Sequence, residues 1–188
     1  MEGLIKLHNT FHHVDWLNSL MRFFTSLGDL GFVWLLLAFI FIFAKKTRKI
    51  SLILLISLGA SYIFSSQIIK NIVNRPRPFM VNQDFKDYII SMGMELTKET
   101  SFPSSHTLTS FCSATVICYY SKKLGLISFV IAFLIAVSRI YLCVHYPTDV
   151  LAGIILGVLF GLVMIYLYNL MIRKIKQKKR ESIRKNDF

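Results

Sequence analysis

Four long, largely apolar runs, roughly 27–44, 50–69, 124–144 and 150–172, limit what this chain can fold into more than any other feature. Each is close to the ~20 residues that a helix needs to cross about 30 Å of hydrocarbon. A fifth run, roughly 104–121, is shorter and begins with polar residues. At 188 residues and 54% hydrophobic, the chain has more apolar surface than a soluble domain of its length can bury. The pattern predicts a single domain over 1–188, an all-α integral membrane helix bundle with about five transmembrane helices.

Residues 1–26 interleave Phe11, Trp16, Leu17, Leu20, Met21, Phe23 and Phe24 with His12, His13, Asp15, Asn18 and Arg22. This alternation is helix-like and aromatic, as in an amphipathic helix that lies on the membrane surface or dips into it. No basic start precedes a compact apolar stretch with a small-residue cleavage site, so a cleaved signal peptide is not expected. Segment 79–102 reads as an extracytoplasmic loop, mobile enough to act as a lid or to select a headgroup, and 173–188 as a disordered basic tail. Neither a repeat nor a low-complexity tract stands out.

The net charge of +12 raises the question of nucleic acid, but its distribution answers against it. With five spans, the loops around Lys45–Lys49 and Lys122–Lys123 share one side with the tail. That side holds 14 cations and 2 acids, whereas the other holds 8 of each. The entire excess therefore lies on one side, which the positive-inside rule makes cytoplasmic. A basic tail there is a solvated topology anchor near anionic lipid. Cys112, Cys118 and Cys143 lie in or beside apolar runs without metal-ligand spacing and read as packing residues.

Chemistry-bearing residues cluster at the ends of the runs opposite the basic loops. Lys70 to Arg77-Pro78 close the second run, Pro103-Ser104-Ser105-His106 opens the third, and Ser138-Arg139 runs on to His145 and Asp149 between the fourth and fifth. Singly, each has a plain structural reading: a Lys or Arg at a span end ordinarily snorkels, and a His near an interface ordinarily makes a structural hydrogen bond. Arg139 fits that reading least, because Ser138 and Arg139 interrupt an apolar run, where a charge is costly unless partnered. His8, His12 and His13 belong to no such pattern.

Taken together, these residues resemble the three motifs of the type-2 phosphatidic acid phosphatase superfamily, written K-x6-R-P, P-S-G-H and S-R-x5-H-x3-D. The one departure is Ser105, where Gly is usual. The resemblance runs from Lys70 to Asp149. It implies a nucleophile at His145 that forms a phosphohistidine and a leaving-group acid at His106.

The chemistry of the residues agrees. Cleaving a phosphate ester without a metal requires cations on the equatorial oxygens, an in-line nucleophile and a proton for the leaving oxygen. Lys70, Arg77 and Arg139 can form the cationic clamp, with Arg able to grip two oxygens. Asp149 follows His145 by one helical turn and can fix its tautomer. Pro147 suits the first turn of the fifth span, where its missing N–H costs nothing. Ser104 and Ser105 resemble a helix N-cap whose backbone N–H groups face a bound phosphate. Gly at 105 would let the backbone come closer; Ser substitutes a hydroxyl. Three neighbouring cations would repel a metal ion, so no metal or other cofactor is expected.

A site at the outer face among apolar helices best reaches a headgroup whose tail stays in the bilayer. The expected partner is therefore a lipid phosphate substrate, with no nucleic acid, in the plasma membrane; nothing in the residues sets an oligomeric state. Within the superfamily, the compact chain looks like the bacterial undecaprenyl pyrophosphate phosphatases. Phosphatidylglycerophosphate or phosphatidic acid phosphatases are the alternative, and a non-catalytic lipid-phosphate binding or transport protein is an alternative of another class.

Overall fold

The computed structural model describes residues 1–186, and the regular structure among them is all helical. Two helices, α1 (Glu2–Phe11) and α2 (Asp15–Gly28), precede a left-handed break at Leu30 and Gly31 (φ 51° and 71°) that redirects the chain into α3 (Phe32–Phe43). Helix α4 (Arg48–Ile63) passes through a π-helical stretch, Phe64–Ile69, into α5 (Lys70–Val73). Short helices α6 (Pro78–Val81) and α7 (Gln83–Ser91) follow, then α8 (Ser105–Tyr120), α9 (Lys122–Tyr141) and α10 (Pro147–Asn186).

Four helical stretches are long and apolar enough to cross a membrane: Asp15–Phe43, Arg48–Val81, Lys122–Tyr141 and Pro147–Ile183. The remaining expected span, 104–121, is α8, a helix of 16 residues. It is buried over most of its length and enclosed by α4, α9 and α10. A helix surrounded by helices does not meet lipid, so its serines and threonines need only internal partners. Thr109 donates to the Ser105 carbonyl at 2.8 Å, Ser113 to that of Thr109 at 2.8 Å and Thr115 to that of Phe111 at 2.7 Å. Ser110 accepts a 3.0 Å bond from the Trp34 indole of α3. Around this centre the outer helices expose apolar faces, with Phe39 and Ile40 on α3, Val130 and Phe133 on α9, and Leu159 and Val163 on α10.

Close contact between α8 and α10 depends on Gly153, Gly157 and Gly161, spaced by four residues along one face. A Cβ at Gly157 would lie 2.5 Å from the Leu108 carbonyl oxygen, and one at Gly161 2.9 Å from Thr115 Cβ. Because these backbones touch, the start of α8 and the start of α10 sit side by side. The second and third motifs are thereby brought together.

A second apolar cluster, including Leu4, Met21, Phe79, Phe85, Ile89 and Leu142, caps the same end of the bundle. Asn18 ties it together, since its side-chain oxygen accepts from Tyr88 at 2.8 Å and from Tyr141 at 2.7 Å. Segment 79–102, expected as a mobile loop, therefore includes a packed helix, α7, whose Phe85, Tyr88 and Ile89 are buried. The basic tail differs from expectation as well. Helix α10 continues through it to Asn186, because Lys, Arg, Gln and Glu are strong helix formers, and Gln177 bonds Glu181 one turn on at 3.1 Å.

Candidate active site

The turn between α9 and α10 is built around Asp149, which is fully buried. It occupies the third position of α10, and its Oδ2 accepts from the Tyr146 backbone N–H at 2.9 Å, half of a capping box. Ser101 also donates to Oδ2, and Arg75 bonds Oδ1 at 2.7 Å while stacking over the Tyr146 ring. The carboxylate thus reaches His145 with its other partners in place: Oδ2 lies 3.6 Å from His145 Nδ1, and the Ser101 hydroxyl lies 3.4 Å from the same nitrogen.

On its opposite edge, His145 Nε2 lies 3.3 Å from Arg77 Nη1. A guanidinium nitrogen can only donate, so Nε2 must carry the lone pair and Nδ1 the proton. Burial, and beyond it the charges of Arg77 and Arg139, hold this imidazole well below the usual histidine range, with Asp149 opposing. His145 is accordingly neutral at pH 7 and presents an unprotonated Nε2.

Arg77 is fixed by bonds to the carbonyls of Glu99 (2.8 Å) and Val144 (3.3 Å). Lys70, at the start of α5, pairs with Glu99, and this bond holds the Glu99 carboxyl below the ordinary carboxylate range. Arg139 bonds Thr25 of α2, but its Nε is buried with no partner among the described residues. A buried donor without an acceptor leaves a hydrogen bond to be made with a group from outside the chain. His106, in the first turn of α8, bonds Asp29 through Nε2 at 2.7 Å.

Lys70, Arg77, Ser105, His106, Arg139 and His145 all line one cavity of about 1250 Å³. One wall is apolar, formed by Leu35 of α3 and Leu55, Leu58 and Tyr62 of α4; another, polar, carries Arg22 and Ser26 of α2. The six motif residues thus converge, and the free backbone N–H groups at the start of α8 lie among them.

The two serines divide. Ser104 is the N-cap residue of α8, yet its side chain caps nothing and is fully buried, accepting from Thr107 Oγ1 at 3.0 Å. Its hydroxyl does not line the cavity, so an expected substrate contact reduces to a structural role. Ser105 does line it, with its hydroxyl 2.6 Å from Ser65 of the π-helical stretch. Ser105 has ordinary helical geometry, so glycine is not required there. Small residues on the facing wall, Ser65 and Ser66, make room for its hydroxyl.

Thr25, Asp29, Arg75 and Ser101 also bond residues of the site, and Glu99 does so from the segment expected to select a headgroup. Arg75 was visible inside the first motif and Ser101 just before the second; Thr25 and Asp29 had no motif to mark them. A divalent metal does not suit this donor set, because Arg77 faces the His145 lone pair and Arg75 and Lys70 engage Asp149 and Glu99.

The two motif histidines and three motif cations around one cavity, set among apolar helices, define a multi-pass membrane protein arranged to handle a phosphate group. The chain belongs to the PAP2 superfamily, whose family model matches residues 50–173. An undecaprenyl-diphosphatase of Sulfolobus acidocaldarius is 31% identical over 156 residues, 82% of this chain and 71% of that one. Phosphatidylglycerophosphatase B of Bacillus subtilis is 32% identical over 158 residues, 77% of this chain and 71% of that one. The crystal structure of a transmembrane PAP2-type phosphatidylglycerolphosphate phosphatase from Bacillus subtilis superposes with a TM-score of 0.64 at 26% identity, covering 82% of this chain and 77% of that one.

Proposed function

We propose that this protein hydrolyses a lipid phosphate without a metal, through a phosphohistidine at His145. The observation that carries the reading is the cavity, in which an unprotonated His145 Nε2 shares one end with three cations while an apolar wall runs alongside. The phosphate settles among Lys70, Arg77 and Arg139, replacing Glu99 on Lys70. His145 Nε2 attacks phosphorus, the bond to the leaving oxygen breaks, and that oxygen takes a proton from His106. Asp149 and Ser101 hold Nδ1–H and so keep the ring oriented and its new positive charge balanced. Water then attacks the phosphohistidine and returns a proton to His106, and phosphate is released.

For the substrate we favour undecaprenyl pyrophosphate, converted to undecaprenyl phosphate at the outer face of the plasma membrane. Support comes from the Sulfolobus relative and from the charge distribution, which sets the motifs opposite the basic loops. Phosphatidylglycerophosphate is the second reading, favoured by the two Bacillus subtilis similarities. The deciding experiment compares kcat/KM on undecaprenyl pyrophosphate, phosphatidylglycerophosphate and phosphatidic acid, in detergent with chelator. The highest value should fall on undecaprenyl pyrophosphate. A higher value on either of the others reassigns the substrate, and absence of phosphate release from all three leaves a lipid-phosphate binding or transport protein.

A further inference from the structure

We propose that Asp29 is a positioning residue of the reaction, holding Nε2–H of His106 so that the proton for the leaving group is delivered from Nδ1. This rests on the reading of His106 as leaving-group acid.

Three features of the α2–α3 junction support it independently. The first is the bond itself, 2.7 Å between Asp29 Oδ1 and His106 Nε2, across 77 residues of chain. The second is Gly28, where a Cβ would stand 2.8 Å from His106 Cδ2 and 3.0 Å from Ile135 Cγ2. Only a glycine lets α2 abut the imidazole at that point. The third is the break that follows, with Leu30 and Gly31 both left-handed. A left-handed leucine is uncommon and persists only where surrounding structure imposes it; here it ends α2 at the residue that meets His106.

Asp29, just past the end of α2, lines the cavity with its side chain 61% exposed, so it meets His106 without the cost of a buried charge. The same helix also supplies Thr25 to Arg139, so α2 braces residues of the second and third motifs together.

The ring's orientation sets the chemistry. With Cδ2 against Gly28 and Nε2 on Asp29, the Nδ1–Cε1 edge turns away from α2, and Nδ1 has no hydrogen-bond partner among the described residues. His145 offers Nε2 and is held at Nδ1; His106 offers Nδ1 and is held at Nε2. As the P–O bond breaks, its electron pair stays on the leaving oxygen, which takes the Nδ1 proton. His106 becomes neutral, keeping its remaining proton on Nε2, where it is hydrogen-bonded to Asp29. In the second half, water oxygen bonds phosphorus, one water proton passes to Nδ1, and the N–P electron pair returns to His145.

The test uses the full-length protein in detergent, with Asp29→Asn, Asp29→Glu and Asp29→Ala, on a long-chain alkyl phosphate and on p-nitrophenyl phosphate. General acid assistance matters most for the poor leaving group, so Asp29→Asn should lose about a hundredfold in kcat on the alkyl phosphate and under about fivefold on the aryl phosphate. His106→Ala should show the same pattern, the double variant should be no worse than His106→Ala, and Asp29→Glu should recover part of the loss. Equal losses on both substrates, additive losses in the double variant, or a faster Asp29→Ala enzyme would overturn the proposal. The last result would mean that Asp29 merely occupies the substrate's place. If wild type turns over neither probe, the comparison of the three lipid substrates decides the proposed function, and the imidazole 15N shifts of wild-type His106 decide Asp29 separately. A proton on Nε2 supports its role; a neutral ring protonated on Nδ1 rejects it.

Discussion

Asp149 shows how a single residue ties local structure to chemistry. Its carboxylate caps α10, holds Arg75 and faces His145 Nδ1, so one side chain closes a turn and orients the proposed nucleophile. Asp149→Asn should therefore lower kcat by about 10²–10⁴-fold with little change in KM, because the phosphate ligands remain. The pH profile supplies a second readout. A nucleophilic His145 would react only when unprotonated, so the rate should fall as pH drops through its titration. Since burial lowers that titration, the acid limb of kcat/KM for wild type should lie below the ordinary histidine value of about 6.5. Asp149 favours the protonated ring, so Asp149→Asn should move the limb lower still; an upward shift would contradict the assigned geometry. The motif residues were legible in the sequence because their chemistry needs fixed types at fixed spacing. Asp29 and Thr25 were not, since a carboxylate and a hydroxyl on an interfacial-looking helix announce no partner until α2 is seen against α8 and α9.

Among the elements, α8 and α10 matter most, because their contact joins two of the three motifs. The long apolar runs were readable from hydropathy alone, since a lipid-facing helix advertises its surroundings. α8 was harder to read because it is screened from lipid and needs hydroxyls satisfied within the bundle rather than a hydrophobic surface. The Gly153, Gly157 and Gly161 stripe is visible as spacing, but which helix it meets comes only from the fold. α7 was hidden by its mixed polarity, and the helical tail by its charge. Gly157→Val would press a branched side chain against the Leu108 carbonyl and Phe111. It should lower Tm by several degrees, on the order of 1–3 kcal/mol of overpacking. Activity should fall with it, as the two motifs separate. Unchanged Tm and turnover would show that the helices do not touch there.

At the scale of the whole molecule, sequence-distant groups from α2, α4–α5, the 99–101 segment, α8 and the α9–α10 turn assemble one cavity at one end of the bundle. The charge distribution predicts that this end faces the outside of the cell. In a chain whose Cys112, Cys118 and Cys143 are replaced, a cysteine at Lys86 should react in intact cells with a membrane-impermeant maleimide, and one at Lys178 only after permeabilisation. The reverse pattern would move the chemistry to the cytoplasmic leaflet. The central claim is that this assembled cavity transfers a phosphoryl group through His145, and rapid acid-free denaturation after mixing with a 32P-labelled lipid phosphate tests it most directly. Wild type should carry label that is stable in base and lost in acid, while His145→Ala should carry none and release no phosphate. Label on His145→Ala, or its wild-type turnover, would contradict the account.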